Sequence, residues 1–160
     1  MFRWILPLLL ILSPALSAQT HIAAGVSGGL QSYANEEDDP RVLAGGEALV
    51  QRGRFAIHAA FEYADLSSGG ALIAVHPDLA FVSNFADRWT FLAGAGPTII
   101  NIESLSDDRT WNVELELARR FTHADVFARV RHYDYEAEGF RAFASPSGPV
   151  VSIGARFQIH

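Results

Sequence analysis

The stretch Trp111-Asn112-Val113-Glu114-Leu115-Glu116-Leu117 places apolar and polar side chains in strict alternation. Neighbouring side chains of a strand point to opposite faces, so this stretch reads as a strand with one apolar and one polar face. A helix would scatter the same residues around its circumference. The pattern predicts strands over residues 22–33, 42–50, 54–63, 71–82, 88–101, 110–120, 125–135 and 149–159. Each has about the 9–11 residues that a tilted strand needs to cross a bilayer, or slightly more. The connections at 51–53, 83–87 and 121–124 are short. Those at 34–40, 64–70, 102–109 and 136–148 are longer and more polar. Short and long alternate without exception, which predicts an all-β fold: an eight-stranded antiparallel up-and-down transmembrane barrel with periplasmic turns and outward loops.

Parity separates two faces. One carries Phe55, Ile57, Phe61, Tyr63, Leu79, Phe81, Trp89, Phe91, Trp111, Val113, Leu115, Leu117, Val126 and Val130. The other collects Glu47, Arg54, His58, Glu62, His76, Asp78, Glu114, Glu116, Arg129, Arg131 and Arg156. A soluble ligand-binding barrel of the periplasm would put the apolar set inside. Three features argue for lipid outside. The polar face holds charges of both signs, which can pair in a closed interior. Small residues such as Gly29, Gly94, Gly96 and Gly154 on that face leave room for long side chains. Aromatics of the apolar face fall near strand ends, at Phe55, Tyr63, Phe81, Trp89, Trp111 and Phe157, as interfacial girdles do. The last strand, with Val151, Ile153, Ala155, Phe157 and Ile159 on one face, then needs no protein cover, because lipid provides it.

Composition fits this reading. Arg3 precedes an apolar run and then Ser13-Pro14-Ala15-Leu16-Ser17-Ala18, the order of a secretory signal peptide, expected at residues 1–18. The barrel domain is then 19–160, and the location is the outer membrane. Cysteine is absent, so no disulfide holds the fold, and all 12 basic side chains are arginine. The mature part has no apolar run of about 18 residues, which excludes a helical membrane protein. The net charge of −6 is concentrated in the long connections, at Glu36, Glu37, Asp38, Asp39, Asp65, Glu103, Asp107, Asp108, Glu136 and Glu138. Arg52, Arg88, Arg119 and Arg120 lie at the short-turn side. Expected partners are outer-membrane lipids, lipopolysaccharide and, during biogenesis, the barrel-assembly machinery; divalent cations could bridge the acidic loops to lipopolysaccharide, but the loops are read as solvated and not as a specific cation site. A monomer is expected. No phosphate loop and no basic patch interleaved with aromatics is present, so no nucleic acid is expected.

On these features the chain resembles the small eight-stranded outer-membrane proteins of Gram-negative bacteria, the class of the OmpA transmembrane domain and OmpX. That class usually ends on a terminal aromatic, whereas here Phe157 is followed by Gln158-Ile159-His160. The resemblance implies an integral membrane barrel with a structural or surface-interaction role and no cofactor.

Chemistry has one sharp candidate. His132 and Asp134 share the lipid-facing side of the seventh strand, where ionisable groups are costly unless interfacial or functional. This is similar to the PagL-type lipid A deacylases, which implies a lipid-modifying enzyme with a histidine at this place. Their serine nucleophile corresponds to Asp134 here, and no glutamate follows in the last strand, so ester hydrolysis has no obvious start. The chain is therefore read as a non-enzymatic barrel, with His132 and Asp134 touching headgroups. Glu47, Arg54, Glu62, Asp78, Glu114, Glu116, Arg129, Arg131 and Arg156 are expected to pack and pair in a lumen too narrow for an open channel. His58, His76 and Asp78 have the chemistry of metal ligands, but nothing in their spacing fixes a distance, and no metal is expected.

Overall fold

The computed structural model describes residues 20–31, 40–65, 71–102, 108–133 and 148–159. Eight strands run in order: β1 (Thr20–Gln31), β2 (Arg41–Arg52), β3 (Phe55–Asp65), β4 (Ala71–Ala86), β5 (Trp89–Ile102), β6 (Asp108–Arg120), β7 (Ala124–Tyr133) and β8 (Gly148–Ile159). Each pairs antiparallel with the next, and β8 pairs with β1 from Ile22↔Ile159 to Gln31↔Val150, closing the barrel. Closure leaves no strand edge, which a wall in hydrocarbon requires. The signal peptide expected at 1–18 lies outside the described residues, as does Asp134.

One expected lumen residue is not in the lumen. Extending the parity of His58 and Glu62 points Arg54 inward, but the strand starts one residue later, at Phe55. Arg52 pairs with Phe55, so Gly53-Arg54 is a two-residue turn. Gly53 has φ 62°, the left-handed region that primed hairpin turns use and glycine adopts without strain. Arg54 therefore sits at the tip of the turn and is exposed.

The apolar face is the outside of the wall. Every strand presents an exposed large apolar side chain, including Val26, Val42, Ile57, Leu79, Ile99, Leu115, Val130 and Ile153. An apolar band right around a water-soluble monomer is unsustainable, since such proteins rarely expose more than a few hundred Å² of contiguous apolar surface. Phe55, Tyr63, Phe81, Trp89, Trp111 and Phe157 are all exposed on this surface. Phe55 and Phe81, opposite each other in the register, pack edge to face at 6.1 Å. The apolar set is thus not an interior, as a soluble ligand-binding barrel would need.

The interior is layered. Towards the long connections, Leu43, Ala64, Leu72, Ala74, Ile100, Tyr133 and Val150 form a buried apolar cluster. Towards the short turns, Leu49, Ala56, Ala80, Val82 and Leu92 form another. Charged side chains fill the space between them.

One seam of the wall departs from regular pairing. The β4–β5 ladder runs to Val75↔Ile99 and resumes at Leu79↔Ala95, and Pro77 and Pro97 face each other in the interval. Neither has an N–H to give the ladder. The Pro77 carbonyl instead lies against Gly96, where a Cβ would stand 2.2 Å from it and 2.5 Å from Asp78 Oδ1. Gly96→Ala must therefore push the two strands apart or displace Asp78. We expect it to lower stability by about 1–3 kcal/mol, the usual range for overpacking, read as a lower urea midpoint of the folded barrel in vesicles. An unchanged midpoint would mean that the seam yields freely.

Candidate functional site

The polar layer follows from register. Glu114 and Glu116 on β6 lie directly opposite Arg131 and Arg129 on β7, so each carboxylate has a guanidinium as its cross-strand neighbour. Closure of the barrel then brings the opposite wall to the same groups. Arg129 Nη2 donates to Glu116 Oε2 at 2.6 Å and to Glu47 Oε2 on β2 at 2.5 Å. Arg131 Nη2 donates to Glu114 Oε2 at 2.7 Å, and Nη1 donates to Glu62 Oε1 on β3 at 2.5 Å. Arg131 also lies 3.5 Å from Asp78 Oδ2. Arg156 of β8 joins from a third side: it pairs with Glu116 through Nη2, and its Nε is 3.4 Å from Glu47 Oε1. All of these side chains are buried. Phe127 underlies the cluster, with the Arg129 and Arg156 guanidinium carbons 4.6 and 4.8 Å from its ring centroid.

Two histidines complete the layer. The Glu114 carboxylate is 2.7 Å from His58 Nδ1, a nitrogen that must carry its proton to bond an ionised acceptor. His58 Nε2 is 3.6 Å from Glu47 Oε2. His76 bonds Thr98 through Nδ1 at 2.9 Å, and its Nε2 is 3.3 Å from Glu62 Oε2. Five carboxylates (Glu47, Glu62, Asp78, Glu114, Glu116) thus face three guanidiniums, and the imidazoles stand against the acids in excess. Asn112 Nδ2 donates to Asp78 Oδ1 at 2.9 Å and to the Gly96 carbonyl at 3.0 Å, tying the layer to the proline seam. Gln31 Nε2 donates to Tyr133 Oη at 2.9 Å above it.

The structure therefore brings together Glu47, Glu62, Asp78, Glu114, Glu116, Arg129, Arg131 and Arg156 of the nine expected lumen charges and leaves Arg54 at the turn. His58 and His76 do not face each other in the register: His58 is opposite Asp78, and His76 is opposite Ala60. His58, Asp78 and Glu114 do bring three potential metal donors within 4.8 Å of one another. Arg131 already contacts both of these carboxylates, so a cation there would compete with a guanidinium in place. Sequence reasoning overlooked Asn112, Thr98 and Phe127. Parity was the available signal, because Asn112 precedes Glu114 by two residues and Phe127 precedes Arg129 by two.

His132 is exposed on the outer surface of β7, opposite Val113 and Pro149. Neighbouring outward positions on β6 and β8 are Trp111, Leu115 and Val151, none of them a nucleophile.

No protein-family model matches the chain, and no curated protein sequence matches it either. Solved structures do. OprG of Pseudomonas aeruginosa is 11% identical with a TM-score of 0.62, covering 89% of this chain and 97% of that one. Neisserial surface protein A is 9% identical at TM-score 0.61, covering 88% and 96%. The N-terminal barrel domain of Pseudomonas aeruginosa OprF is 16% identical at TM-score 0.57, covering 88% and 100%. At such identities the likeness is one of fold, and it spans nearly the whole of each partner. The chain has the architecture of the small eight-stranded outer-membrane β-barrels.

Proposed function

We propose that the chain is an integral outer-membrane barrel with a structural or surface-interaction role, non-enzymatic, whose lumen is a packed plug and not a conduit. The observation that carries this reading is the buried charge layer held between two apolar layers. An ion crossing would have to displace paired guanidiniums and carboxylates and then pass Leu72 and Ile100 on one side or Leu49 and Leu92 on the other. Eight strands leave an interior that side chains simply fill. The similarity to outer-membrane barrels supports the location. The acidic long connections support contact with the lipopolysaccharide leaflet through divalent cations, and the closed up-and-down topology supports insertion by the barrel-assembly machinery as a monomer.

Two measurements test the reading. The full chain expressed in a Gram-negative host should fractionate with outer membranes and migrate faster on SDS gels before boiling than after it. In planar lipid bilayers the purified barrel should give no conductance steps above the protein-free baseline. Reproducible steps at protein-dependent frequency would refute the plug, and a periplasmic fraction extracted without detergent would refute the location.

A further inference from the structure

The short-turn rim has a corner that the charge layer does not use. Trp89 at the start of β5 pairs with Arg119 near the end of β6, and the Arg120 N–H donates to the Arg88 carbonyl at 2.7 Å. Three arginines thus gather on two adjacent strand ends. The Arg119 guanidinium carbon lies 5.7 Å from the Trp89 ring centroid and 5.6 Å from that of Phe121, so two aromatics hold the cation at the rim. Arg88 is exposed, whereas Arg120 is half-buried, with Nε 3.3 Å from Asp125 Oδ1.

Beside them is a cleft of about 380 Å³ lined by Asn84, Phe85, Arg88, Trp89, Thr90 and Arg120, among others. It arises where the β4–β5 register shifts between Asn84 and Ala86 and splays the turn. Its outward wall is aromatic, since Phe85 is 61% exposed and Trp89 37%. Its other wall carries Arg88 and Arg120, with Asp87 as the acid among the lining residues. Arg120 already has Asp125, which leaves the charges of Arg88 and Arg119 to be met by another anion. An apolar wall at the membrane edge, next to guanidiniums suited to bidentate phosphate binding, matches a molecule with a phosphate at one end and acyl chains at the other.

We propose that the Arg88, Arg119 and Arg120 corner binds the phosphate of an anionic glycerophospholipid, with its glycerol and upper acyl chains against Phe85 and Trp89. The inference rests on the membrane reading, which puts Phe85 and Trp89 at the lipid edge and makes the periplasmic leaflet the one that the short turns meet. The acidic long connections put the opposite charge at the far end of the barrel, so anionic phospholipid is favoured at one rim alone.

The full chain in zwitterionic detergent, given equal phosphatidylglycerol and phosphatidylcholine, tests this by native mass spectrometry. Wild type should retain phosphatidylglycerol over phosphatidylcholine by roughly 25-fold, given about fivefold for each of Arg88 and Arg119 near an anionic headgroup. Arg88→Gln with Arg119→Gln should bring that ratio close to one. Arg52→Gln with Arg54→Gln, at the neighbouring turn of the same rim, should leave it unchanged. Arg88→Gln alone, at an exposed position, should still lower the ratio several-fold if the double variant does not fold. Equal retention of both lipids by wild type, or an equal fall in both double variants, would overturn the site. So would displacement of the lipid by millimolar inorganic phosphate, which would make the corner a reader of free phosphate. Because the same samples are checked for the heat-dependent gel shift, a folded barrel without lipid selectivity would sink this inference and leave the barrel reading intact.

Discussion

Replacing Arg131 with methionine is expected to cost the folded barrel about 3–5 kcal/mol, the usual loss when one partner of a buried ion pair is removed and the other is left without compensation. Arg131 is chosen over Arg129 because of what each leaves behind. Without Arg129, Glu116 and Glu47 still have Arg156, whose Nε is 3.4 Å from Glu47 Oε1. Arg131 is the guanidinium that both Glu62 and Asp78 face, at 2.5 and 3.5 Å. Its loss leaves Glu62 with His76 and Asp78 with Asn112, neither of which carries the fixed positive charge of a guanidinium. Arg129→Met should therefore cost less than Arg131→Met. Adding Glu62→Gln to Arg131→Met should recover part of the loss, so the double variant costs less than the sum of the singles. Urea titration of the barrel in lipid vesicles, followed by tryptophan fluorescence, would measure all four. A loss under about 1 kcal/mol for Arg131→Met, in the range of exposed ion pairs, would mean that these charges are solvated and the lumen is open.

The wall was easier to read than its contents. Alternation in segments such as 111–117 depends only on the period-2 geometry of a strand, and the strand order and the outward face followed from it. Parity does not register where a strand stops, and at Arg54 it misleads; Gly53, at φ 62°, makes the turn that leaves Arg54 outside the ladder. The apolar layers at both ends of the lumen were missed for a related reason. Runs such as Leu72-Ile73-Ala74-Val75 and Ile99-Ile100 are apolar on both faces, which breaks the alternation at the place where the inner face turns apolar. The cross-lumen pairs were not accessible to sequence reasoning. Arg131 meets Glu62 across 69 residues and Arg129 meets Glu47 across 82, and which pairs meet depends on how far each strand slides before the barrel closes. Parity placed these groups inside; closure chose their partners. The proline seam was legible only in part, because each proline looks like an isolated exception until the register sets Pro77 opposite Pro97.

The outward face supplies the second large effect. Leu115 is 55% exposed on β6, between Ala93 and Val130 and midway between the rim aromatics Trp111 and Phe121. Leu115→Arg should destabilise the barrel in vesicles by about 2–4 kcal/mol, because a charge at the bilayer midplane loses its hydration and gains no partner. Phe121→Arg, just beyond the end of β6, should cost only about 0–1 kcal/mol, since the side chain reaches the headgroups there. The same pair of substitutions on a barrel standing in water would both fall within about 0.5 kcal/mol, the usual range for surface changes. The contrast between the two positions therefore tests the solvent and not merely tolerance to arginine. A gradient with depth requires hydrocarbon outside the wall. Two small and equal effects would require water there, and Val26, Ile57, Leu79 and Ile153 would then form an apolar surface that only a protein partner could cover.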